Sequence, residues 1–219
     1  MKLIKFAAAA LLALSSLSAS AALISIVDNG STAYAPDVAA DLRNDFTKNG
    51  YVTPATYTIA GSLQANTKLS VTYYFLGQES SWDNSFTVGA ETLSLSNKGS
   101  ITTYVEKDAL FDFTFSTHSP SLSVTNAEGS TLGVNNRVYS FAVALNAYFS
   151  GQGKEAVSGH KGNYDAILFL DDTGPITGDD DNHDDLLIGI RVTAVPEPTT
   201  LLLMSMGLLG LFGARRLKA

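Results

Sequence analysis

Tyr164-Asp165-Ala166-Ile167-Leu168-Phe169-Leu170-Asp171-Asp172, followed after a loop by Asp184-Asp185-Leu186-Leu187-Ile188-Gly189-Ile190-Arg191-Val192-Thr193, is the stretch that decides the fold. The first run, Tyr164 to Leu170, is apolar and stops at a pair of acids. The second, Leu187 to Thr193, alternates and starts just after another pair. Runs of this length bounded by turn residues are strands, because a helix of the same burial would need a longer stretch. If the two strands pair antiparallel, the end of one and the start of the other lie at the same edge of the sheet.

The same pattern recurs through most of the chain. Val71, Tyr73 and Phe75 alternate with Thr72 and Tyr74; Phe111, Phe113 and Phe115 alternate with Asp112 and Thr114; Leu93 and Leu95 alternate with Ser94 and Ser96. Further runs lie at Tyr51 to Ile59, Ile101 to Val105, Leu122 to Thr125 and Val138 to Phe149, mostly separated by Gly, Asn, Ser or Pro. About eight to ten short strands with turn signals between them predict a mainly β protein, an antiparallel β-sandwich of jelly-roll kind. One segment differs: after Pro36-Asp37, Val38, Leu42 and Phe46 recur every four residues until Gly50, which predicts one short N-terminal helix. The Phe111-Phe113-Phe115 face is expected in the core. Trp82, within the polar stretch Gly77 to Ser85, is read as a packing residue before a binding contact.

Both ends read as processing segments. Lys2 and Lys5 precede the apolar run Phe6 to Leu14, and Ala19-Ser20-Ala21 offers a small-x-small cleavage site, so residues 1–21 are expected to be a secretory signal helix. At the other end, Val195-Pro196-Glu197-Pro198 is followed by an uncharged stretch from Thr199 to Ala214 and then Arg215-Arg216-Leu217-Lys218. Sixteen helical residues span about 24 Å, short of a roughly 30 Å hydrocarbon core but within reach of a bilayer that thins or of snorkelling basic residues. The prolines keep a helix from running back into the domain, and the basic cluster has the sign expected of a cytoplasmic flank. The expected organisation is therefore a signal segment (1–21), an extracytoplasmic β-sandwich (22–194) and a tail with a transmembrane helix (195–219).

Dividing the chain this way changes its electrostatics. The whole sequence has 14 Lys and Arg against 21 Asp and Glu, a net −7. Without Lys2, Lys5, Arg215, Arg216 and Lys218, the stretch from Ala22 to Pro198 has nine basic residues against all 21 acids and stands at −12. That balance argues against nucleic acid as a partner and for cations or neutral polymers. Zero cysteines exclude disulfides, thiol catalysis and thiolate metal sites.

Eight of the acids, Asp165, Asp171, Asp172, Asp179, Asp180, Asp181, Asp184 and Asp185, fall within 21 residues that contain no Lys or Arg. The strand pairing proposed above would gather Asp171, Asp172, Asp180, Asp181, Asn182, Asp184 and Asp185 at one edge, with Gly174 and Gly178 to let the loop turn. So many hard oxygen donors suit Ca²⁺, which takes six to eight; Mg²⁺ keeps more of its waters. The spacing is not that of an EF-hand, since Asp179-x-Asp181 puts His183 at the fifth position. A solvated, mobile turn is the alternative reading. No Gly-x-Ser-x-Gly elbow, phosphate-binding loop or His-Glu-x-x-His helix occurs, and His118, His160 and His183 stand apart from obvious nucleophiles, so the domain is expected to be non-catalytic.

Two resemblances add to this. Pro196-Glu197-Pro198, the apolar span and the basic cluster at Arg215-Arg216 resemble the PEP-CTERM sorting tail of Gram-negative bacteria. The resemblance implies that an exosortase-type membrane protease recognises Pro196, Glu197 and Pro198 and cleaves near them. The inner membrane then holds the protein only transiently, before it reaches the cell surface or the exopolysaccharide matrix. Leu168 to Gly174 with Asp180-Asp181-Asn182-His183-Asp184-Asp185-Leu186 is similar to the acidic segment that precedes the tail in many such proteins, and to a motif of a bacterial extracellular domain family without a settled activity. Leu76-Gly77-Gln78-Glu79 and Trp82-Asp83-Asn84-Ser85-Phe86 resemble another segment of the same proteins. The expected role is a Ca²⁺-stabilised component of an exopolysaccharide or biofilm matrix; the alternative is a Ca²⁺-dependent carbohydrate-binding module or polysaccharide hydrolase.

Overall fold

A computed structural model of the chain describes residues 22–27, 45–53, 58–59, 61–118, 121–132, 138–172, 183–196 and 204–208. The expected signal helix (1–21), most of the predicted N-terminal helix including Val38 and Leu42, and most of the tail lie outside these residues.

The alternating runs form strands, and every pairing is antiparallel. The larger sheet has the order β11 (Ser130–Leu132), β12 (Val138–Phe149), β13 (Gly162–Asp171), β14 (Leu186–Ala194), β5 (Leu69–Gly77) and β8 (Ser100–Val105). Two short strands, β2 (Val52–Thr53) and β3 (Thr58–Ile59), also pair with β12. A four-stranded sheet has the order β10 (Ser121–Thr125), β9 (Thr114–His118), β6 (Asn84–Val88) and β7 (Glu91–Ser94), and β1 (Ile24–Val27) pairs with β4 (Ser62–Ala65) in a two-stranded ribbon. The predicted mainly β, antiparallel sandwich is the architecture observed.

One apolar core lies between the sheets. Along β5, Leu69, Val71, Tyr73 and Phe75 are buried while Ser70, Thr72 and Tyr74 are half-exposed, the period-2 pattern of a sheet with one covered face. The facing sheet contributes Phe86, Val88, Phe115 and Val124. Aromatic rings join the two layers: Tyr73 meets Phe86 at 5.1 Å between centroids, and Phe113 and Phe115 meet Phe141 at 5.4 and 5.8 Å. Phe111, Phe113 and Phe115 are all in the core as expected, but the strand begins only at Thr114. Upstream of it the chain leaves the four-stranded sheet to meet β4, with Phe111 N–H donating to the Leu63 carbonyl at 3.0 Å. Leu95 also departs from its predicted strand. The chain reverses through mutual backbone bonds between Ser94 and Asn97, leaving Leu95 39% exposed.

A second apolar cluster covers part of the outer face of the larger sheet. Phe46, in the helical turn α1 (Asp45–Lys48), packs there with Val52, Leu76, Phe149, Ile167, Phe169 and Leu187. Alternation therefore disappears where both faces are covered: every residue from Ala166 to Asp171 is buried, which accounts for the continuous apolar run in the sequence. Between Leu145↔Ala166 and Ala147↔Tyr164 the β12–β13 ladder is interrupted at Asn146, which has a left-handed φ of 52°. The flanking side chains change face there, from Leu168 and Ala166 inside to Tyr164 outside. Asp165 sits at this irregularity and accepts the Val192 N–H at 2.8 Å, standing in for a missing ladder bond. It is six residues, about 20 Å along the strand, from Asp171. Of the eight clustered acids, this one belongs to the scaffold.

Candidate functional site

The two strands of the opening stretch are neighbours, paired from Ala166↔Ile190 to Leu170↔Leu186. The end of β13 and the start of β14 thus meet, as the sequence predicts, and Asp171 and Asp172 lie beside Asp184 and Asp185. Asp180, Asp181 and Asn182 lie outside the described residues. The described acids are not on a solvated turn: Asp171, Asp172 and Asp184 are at most 1% exposed, and Asp185 8%.

Backbone and side-chain bonds hold the junction together. Asp185 N–H donates to the Leu170 carbonyl at 3.0 Å, and Asp172 N–H donates to Asp185 Oδ2 at 2.7 Å. Glu79 N–H donates to the Asp184 carbonyl at 3.1 Å, tying in the segment after β5. His183, buried and at φ 45°, is hydrogen-bonded through Nε2 to Ser140 Oγ at 2.9 Å, so it serves the turn. Burial raises the Asp185 carboxyl from 3.8 to about 10. The Asp172 charge adds to the shift, the hydrogen bond from the Asp172 backbone opposes it, and Asp171 and Asp184 contribute less. The buried Tyr139 hydroxyl is likewise held well above the usual tyrosine range, by burial first and then by the charges of Asp172, Asp185 and Asp171.

The site also contains groups that the sequence reading did not single out. Asn84 reaches across from β6 and donates through Nδ2 to Asp172 Oδ2, linking the two sheets. Its Oδ1, Thr117 Oγ1, Tyr139 Oη and Gln78 Oε1 are buried and make no hydrogen bond. The signal for Asn84 was present in the sequence: Asn84, Phe86 and Val88 alternate, which sends the amide to the core side. Among the described residues, no group of three or more His, Asp or Glu side chains is arranged to hold a metal. Trp82 is half-buried; its backbone N–H donates to Ser80 Oγ and its backbone carbonyl accepts from Gln78 Nε2.

Beyond β14, Val195 N–H donates to the Lys68 carbonyl at 2.9 Å, the last anchor of the sheet before Pro196. Residues 204–208 are helical and exposed, with Met204, Met206 and Leu208 presented to the surroundings. Among the described residues, no helix is long and apolar enough to cross a membrane. Glu197, Pro198, Arg215 and Arg216 lie outside them. A family model for the PEP-CTERM protein-sorting motif matches residues 194–216. The chain carries a PEP-CTERM sorting motif. The motif implies export, processing by an exosortase, which is a membrane protease, and sorting to the surface or the extracellular space. No curated protein and no solved structure matches the chain.

Proposed function

We propose that this PEP-CTERM protein is a non-catalytic component of the cell surface or exopolysaccharide matrix, whose sandwich is clamped by Ca²⁺ at the junction of β13 and β14. The tail anchors it transiently in the inner membrane until exosortase acts near Pro196, Glu197 and Pro198. One observation carries the clamp: the antiparallel register sets Asp171-Asp172 against Asp184-Asp185 in a buried position. Carboxylates buried side by side repel one another unless protons, hydrogen bonds or a cation offset the charge. In an exported chain without cysteines, a hard divalent cation is the natural counterion. Calorimetric titration of the full chain with Ca²⁺, paired with thermal unfolding in Ca²⁺ and in chelator, tests the clamp. Heat of binding and a higher unfolding temperature in Ca²⁺ are expected. No uptake, or no change when Asp172 and Asp185 are replaced by Asn, refutes it.

A second reading, a Ca²⁺-dependent carbohydrate-binding module, draws on a cleft of about 390 Å³ where the β6–β7 turn approaches the edge strand β8. Tyr104, 67% exposed, lies along it with Glu91, Glu106 and Asp112, a stacking ring beside hydrogen-bond acceptors for sugar hydroxyls. A glycan array run with and without chelator separates the two: chelator-sensitive retention of a sugar supports the module, and no retention favours the structural role.

A further inference from the structure

We propose that β8 is an interface between two copies of this chain, which pair their β8 edges antiparallel about a two-fold axis at Thr102. The ladder with β5 fixes which backbone groups are left for such a partner. Phe75 N–H donates to the Gly99 carbonyl at 3.3 Å, so along this antiparallel pair Ile101, Thr103 and Val105 also bond to β5, while the N–H and C=O groups of Ser100, Thr102 and Tyr104 point the other way. Among the described residues, β8 pairs with no strand but β5, and no hydrogen bond is made to those outward groups. A cleft of about 390 Å³ adjoins the strand and is lined by every residue from Ile101 to Glu106. Residues of both faces line it, so it lies against the edge of the strand and not over one face.

Proteins blunt an exposed edge with charge, proline, a bulge or a cover, because a free row of donors and acceptors pairs readily with another strand. The other outermost strands of the two stacked sheets carry such devices. β7 begins at Glu91, and its Thr92 carbonyl accepts from Asn97 Nδ2 at 2.7 Å; the Thr125 N–H of β10 donates to Glu128 Oε2 at 2.9 Å; β11 is only three residues long. β8 has six residues with no charge, no proline and an unbroken register. The edge also fits a second copy of itself. The stretch from Ala22 to Pro198 stands at −12, so two copies repel over most of their surfaces. Both ends of β8 are neutralised, since Lys98 pairs with Glu155 at 2.6 Å, Glu106 with Lys68 at 2.6 Å and Lys107 with Asp108 at 4.0 Å. With Thr102 on the axis, Ser100 of each copy lies opposite Tyr104 of the other, and all the outward groups are satisfied in about six hydrogen bonds. The Tyr104 ring, 67% exposed, then covers the small Ser100 across the new pair. A strand docked there needs no cation, and it occupies the cleft that the carbohydrate reading would use.

The test follows the full chain, solubilised in a mild detergent, by sedimentation over a range of concentrations. A monomer–dimer equilibrium is expected, and NaCl should tighten it severalfold by screening the acids of both copies, Glu91 and Asp112 at the cleft among them. Thr102→Lys, at an exposed position, sets two like charges on the axis and should weaken the dimer at least tenfold. Because the chain has no cysteine, Thr102→Cys reads the register directly. Directly opposed, hydrogen-bonded positions have Cα atoms about 5.5 Å apart, a spacing that a disulfide spans, so mild oxidation should give a covalent dimer. Ser121→Cys, on the exposed β10 edge, should give little. A wild-type chain that stays monomeric up to about 100 μM, above the micromolar range of weak interfaces, overturns the pairing and leaves the cleft to a sugar. Undiminished association of folded Thr102→Lys, or equal cross-linking of the two cysteine variants, overturns it as well. If Thr102→Lys does not fold, the comparison of the cysteine variants decides.

Discussion

Replacing Asn126 by Ala removes a clamp of another kind, and its cost can be worked from the structure. Asn126 follows β10 and is 1% exposed. Its Nδ2 donates to the Leu63 carbonyl at 2.8 Å and to the Phe111 carbonyl at 2.9 Å, while Oδ1 accepts the Leu63 N–H at 2.8 Å. One side chain thus joins β4 to the segment that leads into β9. The Leu63 carbonyl keeps a donor in Phe111 N–H. The Leu63 N–H and the Phe111 carbonyl lose the partners that Asn126 supplies, in surroundings that are dry, since Leu63 is fully buried and Phe111 is 1% exposed. Leaving a buried polar group unsatisfied costs about 1–3 kcal/mol, so two of them amount to roughly 3–4 kcal/mol near the middle of that range. For a domain of this size, that corresponds to a fall of roughly 6–16 °C in Tm. Urea unfolding followed by circular dichroism reads the loss as a shift of the midpoint at unchanged slope. A destabilisation below about 1 kcal/mol would refute the reasoning, because it would mean that water or a rearranged backbone satisfies both groups at little cost.

Stability should also depend on pH in a way that Ca²⁺ reverses. Asp185 in the folded chain holds its proton up to about 10 against an ordinary 3.8, so the stability this proton confers is fully present below about 3.8 and is lost as pH rises through about 10. In chelator, unfolding free energy should fall between pH 5 and pH 9; saturating Ca²⁺ should flatten the slope, as should Asp185→Asn in chelator, and equal slopes throughout would contradict the assignment. Gly189→Ala should destabilise by about 1–3 kcal/mol by overpacking, since its methyl would lie 2.5 and 2.7 Å from Tyr164 ring carbons. The ring has little room to yield, because its hydroxyl is bonded to the His160 carbonyl and the Arg191 guanidinium lies 4.4 Å over it. In a Tyr164→Ala background the added penalty should vanish, which a double-mutant cycle measures. Replacing Pro196, Glu197 and Pro198 by Ala should leave protein that retains Arg215 and Arg216 in the membrane fraction, and mass spectrometry of the termini would expose normal processing if it persists.

How far the sequence could be read depended on whether a signal is local. Alternation in Val71 to Phe75 is set by the two-residue repeat of an extended chain, so it identifies a strand and its buried face without knowledge of the partner. Phe111 to Phe115 shows the limit: burial followed the alternation, but the ladder began only at Thr114, since hydrogen bonds to β4 took over upstream. The meeting of Asp171-Asp172 with Asp184-Asp185 was legible because β13 and β14 are joined by one loop and pair as neighbours. Asp165 looked like a member of the same acidic group, yet it is bonded to Val192 far along the strand, a role that depends on the irregularity at Asn146.

By itself, then, the sequence determined the strand content, the charge division between the two ends and the central domain, the tail that the PEP-CTERM model matches, and which acids flank the last loop. These follow from composition, period and order, which act over a few residues. Only the tertiary structure decided that those acids are buried, that Asn84 joins Asp172 from another strand, and that Asn126 ties β4 to the approach to β9. Such contacts bridge 15 to 88 positions of chain, and no local pattern specifies them. They arise when the two sheets stack and each buried polar atom must find a partner across the core.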